Sequence, residues 1–304
     1  MALAAPDGAR RAALIRAMPW IFVGIWSTGF VVARFGMPHG PPLTFLSWRF
    51  ALSVFAFAAW VGFSGAAWPR DRRQAAHLVV TGVLLQAGYL GGVWAAVKGG
   101  LGAGAAALIV GLQPVLTALW VSWTGAERRV TTRQWLGLVL GLTGLLMVVW
   151  DKLGIGEITG VNLALALGAL LSITVGTLYQ KRFVKPCDVR TANLVQLLAA
   201  LVVTLPLALL LETEPMRWHP ALIGAMVWSV LVLTLGGSSL LYLLIQRGAA
   251  TRVASLMYLV PPCTAVLAWL LFGEALTGGV GVGLLLTAVG VGLVVREPTR
   301  GRTG

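Results

Sequence analysis

Only ten of the 304 residues are Asp or Glu, three are His and two are Cys. All ten carboxylates fall between apolar runs or at their ends, and His39, His77 and His219 lie there too. An intramembrane enzyme needs a convergent nucleophile, acid–base pair or metal set within the spans, and none is in view. Proton-coupled carriers commonly relay through a buried Asp, Glu or His, and that group is missing as well. Cys187 lies in a gap and Cys263 inside a run, so no disulfide between them is expected. The glycine-rich stretch GGLGAGAAAL at 99–108 lacks the Lys–Ser/Thr ending and the strand–turn–helix setting of a phosphate loop. Nucleotide binding is therefore not expected, and no cofactor or metal is implied. No gap is long enough for a soluble domain.

What the chain has is apolar length, with 58% hydrophobic and 11% charged residues. Ten runs are read at roughly 18–35, 43–63, 76–97, 101–123, 134–150, 160–180, 192–211, 221–245, 251–271 and 278–295. Runs of about 20 apolar residues match a hydrocarbon core of about 30 Å. They are continuous rather than alternating, which indicates helices and not a barrel. The first run follows Arg residues as a signal peptide would, but no small-residue cleavage site follows it. Arg34, Pro38, Pro41 and Pro42 end it as a loop, so it is read as a span. Trp20, Trp60, Trp68, Trp120, Trp123, Trp135, Trp150, Trp218 and Trp269 fall near run ends, as an interfacial belt should.

The net charge of +13 is a matter of topology. The N-terminus, every second gap and the C-terminus hold 18 of the 23 basic residues. The intervening gaps hold four (Arg34, Lys98, Lys152 and Arg217), and Arg49 lies inside a run. Basic loops stay in the cytoplasm, so both termini are expected there. A charge excess placed this way does not suggest nucleic-acid binding; the expected surroundings are a lipid bilayer.

The chain repeats near an offset of 147. Residues 107–127, ALIVGLQPVLTALWVSWTGAE, align with 254–274, ASLMYLVPPCTAVLAWLLFGE. The matches include Leu112 with Leu259, Pro114 with Pro261, Thr117 with Thr264 and Glu127 with Glu274. Five spans per half is an odd number, so the second half is expected upside down relative to the first. Inverted halves can exchange conformations and open a central cavity to each side in turn. The fold expected is an all-α membrane protein of ten transmembrane helices, with repeats at 18–150 and 160–295.

The strings GLQPVLTAL and TTRQWLGLVLGLTGLLMVV, with their echo VPPCTAVLAWLLFGEALTGGVGVGLLLTAVGVGLVV, resemble the ends of EamA-type repeats. WSTGFVVARFG and FLSWRFALSV resemble the start of the first repeat. The resemblance spans about 18–295 and points to the drug/metabolite transporter superfamily. It implies ten helices, cytoplasmic termini, the bacterial inner membrane, and export or exchange of small metabolites, often amino acids. A drug efflux carrier, an intramembrane enzyme and a membrane scaffold are the alternatives. A monomer or weak homo-oligomer is expected.

Arg49 is the one ionisable residue well inside a run. Arg in hydrocarbon costs about 2.5–3.5 kcal/mol on insertion scales, so it should face a partner or water. Either it grips a substrate carboxylate, or it bridges neighbouring helices. Its counterpart 147 residues on is Gln196, so the charge is not duplicated. Polar and aromatic candidates for the path are Trp26, Ser27, Thr28, Gln86, Tyr89, Gln113, Ser172, Thr174, Ser238, Tyr242 and Tyr258. Gln86 with Tyr89, and Ser238 with Tyr242, have helical spacing for a shared face. The alternative for each is a bond between helices or to its own helix carbonyls. Pro114, Pro261 and Pro262 interrupt matching runs and are candidate hinges. Glycines four apart, such as Gly88 with Gly92 and Gly137 with Gly141, suit close helix packing within the chain. Glu127 and Glu274 are read as capping the next helix or pairing with nearby Arg.

Overall fold

The computed structural model describes residues 6–69, 71–123, 132–154, 157–237, 240 and 259–295. Among them there is helix and no strand. In chain order the helices are α1 (Pro6–Gly36), α2 (Pro42–Ser64), α3 (Arg72–Lys98), α4 (Ala103–Val110), α5 (Gln113–Trp123) and α6 (Thr132–Gly154). Then follow α7 (Gly160–Phe183), α8 (Val189–Leu211), α9 (Pro220–Gly237), α10 (Val260–Phe272) and α11 (Gly278–Val295). Six stretches are long and apolar enough to cross a membrane: Trp20–His39, α2, α3, α7, α8 and α9. Four shorter apolar helical stretches, Ala103–Thr117, Trp135–Asp151, Val260–Phe272 and Gly278–Leu293, fall on the other four runs.

The run at 101–123 is two helices rather than one. Gly111 and Leu112 form a turn between α4 and α5. Pro114 has no N–H to offer and its ring conflicts with the carbonyl four residues back, so the break falls just ahead of it. Gly111 also lets the other half come close, since a Cβ there would stand 2.7 Å from the Pro261 ring. Pro261 and Pro262 open α10, where a proline costs least because the first helical N–H groups have no partner anyway.

Two wide turns were not legible in the sequence. Val83–Gly88 in α3 and Trp228–Gly237 in α9 are π-helical, and the Tyr89 N–H bonds the Leu84 carbonyl five residues back. Moved on by 147, Val83–Gly88 falls on 230–235, inside the second segment. The i→i+5 bonding of Val83–Gly88 turns the chain less per residue than an α-helix does, which changes the angle between Gln86 and Tyr89. Tyr89 is buried while Gln86 is half-buried.

Glycine sets the closest helix contacts. In α6 and α11, a Cβ on Gly144 would meet the Gly283 carbonyl at 2.4 Å, and one on Gly290 the Gly137 carbonyl at 2.5 Å. Gly88 and Gly92 of α3 press against Ser172 and Ala169 of α7. Phe45 stacks on Trp94 (centroids 4.4 Å apart) in a core that includes Phe50 and Phe57. Outward, Phe63, Leu209, Leu210 and Trp150 are left largely bare. That much exposed apolar surface suits acyl chains rather than water.

The loops expected to be external are tied to one another. Glu212 accepts from Leu43 N–H, Thr44 N–H and the Thr44 hydroxyl at 2.7–2.8 Å, capping α2. Arg217 N–H donates to the His39 carbonyl, and the His39 and His219 rings stack at 4.2 Å. Glu274 accepts from Ala103 N–H (2.8 Å) and Gly104 N–H (3.4 Å), and Glu157 from Gly102 N–H (2.8 Å). Glu274 thus caps α4 in the other half rather than the next helix; Thr277 takes that second role, accepting from Val280 N–H. Glu127 lies outside the described residues. At the opposite end, Gln74 bonds both the carbonyl and the N–H of Lys185.

Candidate functional site

Helices α2, α3 and α9 meet around Arg49. Its guanidinium is buried, with 7% of the residue exposed, and Nε and Nη2 both donate to the Thr234 hydroxyl at 3.4 and 3.2 Å. Charge-assisted N–H···O bonds are usually about 2.7–2.9 Å, so both are long. The Thr234 hydroxyl in turn donates to the Ser229 carbonyl at 2.8 Å, five residues back, a bond the π-helical register makes available. Tyr89 of α3 is within electrostatic reach of the guanidinium. No carboxylate bonds Arg49 among the described residues. Two of its five N–H donors therefore share one neutral acceptor.

The position 147 residues on has the same architecture without the charge. Gln196 of α8 donates through Nε2 to the Thr81 hydroxyl of α3 at 3.2 Å. A Cβ at Gly82 would meet the Gln196 carbonyl oxygen, which is why α3 can approach there. In each case the second helix of one half reaches a threonine on the third helix of the other.

The remaining candidates divide. Thr28 accepts from the Trp228 indole N–H at 2.9 Å and donates to the Ile25 carbonyl, and Trp26 packs half-buried against Phe22. The Thr28–Trp228 bond joins α1 to the π-helical segment of α9. Ser27 is fully buried and donates to the Val23 carbonyl of its own helix, while its carbonyl accepts from Thr264 of α10. Thr174 likewise bonds the Leu170 carbonyl of its own helix. Ser172 crosses from α7 to the Leu84 carbonyl in the first π-helical segment. Gln113, just past the turn at 111–112, donates to the exposed Thr177 hydroxyl at 3.2 Å. Ser238, Tyr242 and Tyr258 lie outside the described residues. Pro114 and Pro261 stand at the break between α4 and α5 and at the start of α10.

Sequence reasoning passed over Thr234 and two serines. Ser53 and Ser229 are both fully buried, and neither hydroxyl has a hydrogen-bond partner. Ser53 is four residues beyond Arg49 on α2, a spacing visible in the sequence; the link from Ser229 to Thr234 depends on the π-helical register. No group of three or more His, Cys, Asp or Glu suited to a metal occurs among the described residues.

These helices, with their buried cation and lipid-facing apolar side chains, make the chain a multi-pass membrane protein. It belongs to the EamA-like transporter family, whose model matches residues 18–150 and again 161–296, within the drug/metabolite transporter superfamily. The chain is 26% identical over 280 residues to the "Probable amino-acid metabolite efflux pump" of Salmonella typhimurium, covering 89% of this chain and 91% of that one. The Escherichia coli K12 protein of the same name is 25% identical over 280 residues, with the same coverage. The "Uncharacterized inner membrane transporter YedA" of Escherichia coli K12 is 28% identical over 246 residues, covering 80% and 78%. A solved structure titled "Crystal structure of protein" superimposes with a TM-score of 0.63 over 91% of this chain and 95% of that one, at 15% identity. That likeness concerns the fold alone. The chain is a transporter of the bacterial inner membrane.

Proposed function

We propose that this transporter exports or exchanges a small carboxylate-bearing metabolite, an amino acid first among them. The observation that carries the reading is Arg49, a buried guanidinium whose bonds go to one neutral hydroxyl at long distance. A substrate carboxylate offers that fork two charged acceptors in one plane, which a threonine does not. The names of the two efflux-pump relatives support the substrate class.

The mechanism is alternating access between inverted halves at 18–150 and 160–295, with ten spans and both termini in the cytoplasm. Support comes from the repeat at 147, the break ahead of Pro114, the place of Pro261 at the start of α10, the paired π-helical segments and the alternating loop charges. Trp26, Thr28, Gln86, Tyr89 and Gln113 line the path in this reading, and Pro114, Pro261 and Pro262 serve as its hinges. Facilitated export or exchange fits a chain whose carboxylates all lie at span ends.

Counterflow in proteoliposomes preloaded with the twenty amino acids, related carboxylates and their decarboxylated amines tests this. Saturable exchange of carboxylate-bearing solutes is expected, and an imposed pH gradient should not drive accumulation. Exchange of amines alone would overturn the substrate class, and gradient-driven accumulation would overturn the uncoupled mechanism.

A further inference from the structure

At four matched positions the group able to hold an anion or answer its charge is at the Arg49 pole, while Thr81 of the Gln196 pole is matched by Trp228. Arg49 faces Gln196 across the 147 offset, Ser53 faces Ala200, Ser229 faces Gly82 and Thr234 faces Ala87. The Gln196 pole is a neutral tie, with its amide N–H on Thr81. The Arg49 pole is incomplete. It has unused guanidinium donors, and the Ser53 and Ser229 hydroxyls are buried without partners.

Both serines are on the faces that carry the Arg49–Thr234 pair. Ser53 is one α-turn along α2 from Arg49. Ser229 is one π-turn before Thr234 on α9, and its carbonyl already receives the Thr234 proton. Leaving a buried hydroxyl unmatched is costly, so two of them, one helical turn from Arg49 and from Thr234, mark a place for an acceptor. A carboxylate is acceptor-only when ionised and has about four lone-pair sites.

We propose that Ser53, Ser229 and Thr234 complete a carboxylate subsite with Arg49. Thr234 is the resting acceptor, which the incoming carboxylate displaces from the guanidinium. Ser53 and Ser229 then donate to the carboxylate oxygens. This rests on the reading of Arg49 as a substrate contact and adds the residues that set its selectivity.

The test replaces each serine by the kind of residue that lacks the hydroxyl, Ser53→Ala and Ser229→Ala. The assay uses whichever amino acid the wild type exchanges, with its decarboxylated amine as competitor. Each variant should raise the KM of the amino acid about tenfold, the loss of one hydrogen bond to a charged group. Competition by the amine should be unchanged, and the melting temperature should hold or rise, because an unmatched buried hydroxyl has been removed. Equal changes for both solutes, a fall in melting temperature without a KM split, or no change at all would overturn the subsite. Thr234→Asp supplies a second readout that needs no substrate. A fixed counter-ion for Arg49 should raise the melting temperature and abolish carboxylate exchange. A rise in a protein that exchanges no carboxylate would leave the anion pocket standing and refute the metabolite reading. Undiminished carboxylate exchange in Thr234→Asp would refute the subsite while leaving the transporter reading intact.

Discussion

At the scale of single residues, this chain uses carboxylates at helix ends rather than within spans. Glu274 bonds the first N–H groups of α4 and Glu212 those of α2, where negative charge also meets the positive end of the helix. Glu274→Gln keeps an acceptor oxygen but loses the charge. Thermal unfolding in detergent should show a loss of about 0.5–2 kcal/mol, the usual range for a helix cap. Asp188 is the corresponding group ahead of α8. Arg190 donates to it through Nε (3.0 Å) and Nη2 (2.6 Å), and these bonds hold its carboxyl below the ordinary value of 3.8. A depressed folded-state pKa contributes stability that is present above 3.8 and lost as pH falls through the lower folded value. Asp188→Asn should therefore lower the melting temperature at neutral pH and flatten its decline at acid pH. An unchanged acid decline would show that other groups carry it. Arg49 was legible in the sequence as a lone charge in an apolar run, and so was its missing duplicate at Gln196. Thr234 and Ser229 were not, because small hydroxyls inside spans ordinarily bond their own helix, as Ser27 and Thr174 do here.

At the scale of helices, glycine and proline carry the architecture. The α6–α11 pair closes to backbone contact at Gly144, Gly283 and Gly290. Gly144→Val should give aggregated protein on size-exclusion chromatography, since its side chain would meet the Gly283 carbonyl and the Thr287 backbone. Gly168→Val, at a site with nothing within 4 Å of the added carbon, should elute like the wild type. Proline spacing predicted the interruption near 114. The π-helical segments had no such signal, since their widening depends on what packs against them. Ser172 of α7 donating to the Leu84 carbonyl is one such dependency.

At the scale of the whole molecule, hydrophobic length, loop charge and the 147 offset were readable because the bilayer constrains them directly. The cross-half contacts were not, since they depend on how helices from opposite halves meet. They are nevertheless paired: Arg49 with Thr234 and Gln196 with Thr81 join second to third helices, and Arg217 with His39 and Gln74 with Lys185 tie the chain at the two ends. In the proposed cycle the halves move against each other at these joints, and the charged pole holds the substrate. The most direct test is counterflow of amino acids against their decarboxylated amines in wild type and Arg49→Gln, with folding checked by size-exclusion chromatography. The account predicts that Arg49→Gln loses exchange of carboxylate-bearing solutes while amines still compete for the path. Equal loss of both classes in folded protein would contradict it, and would make Arg49 a tie between helices like its counterpart Gln196.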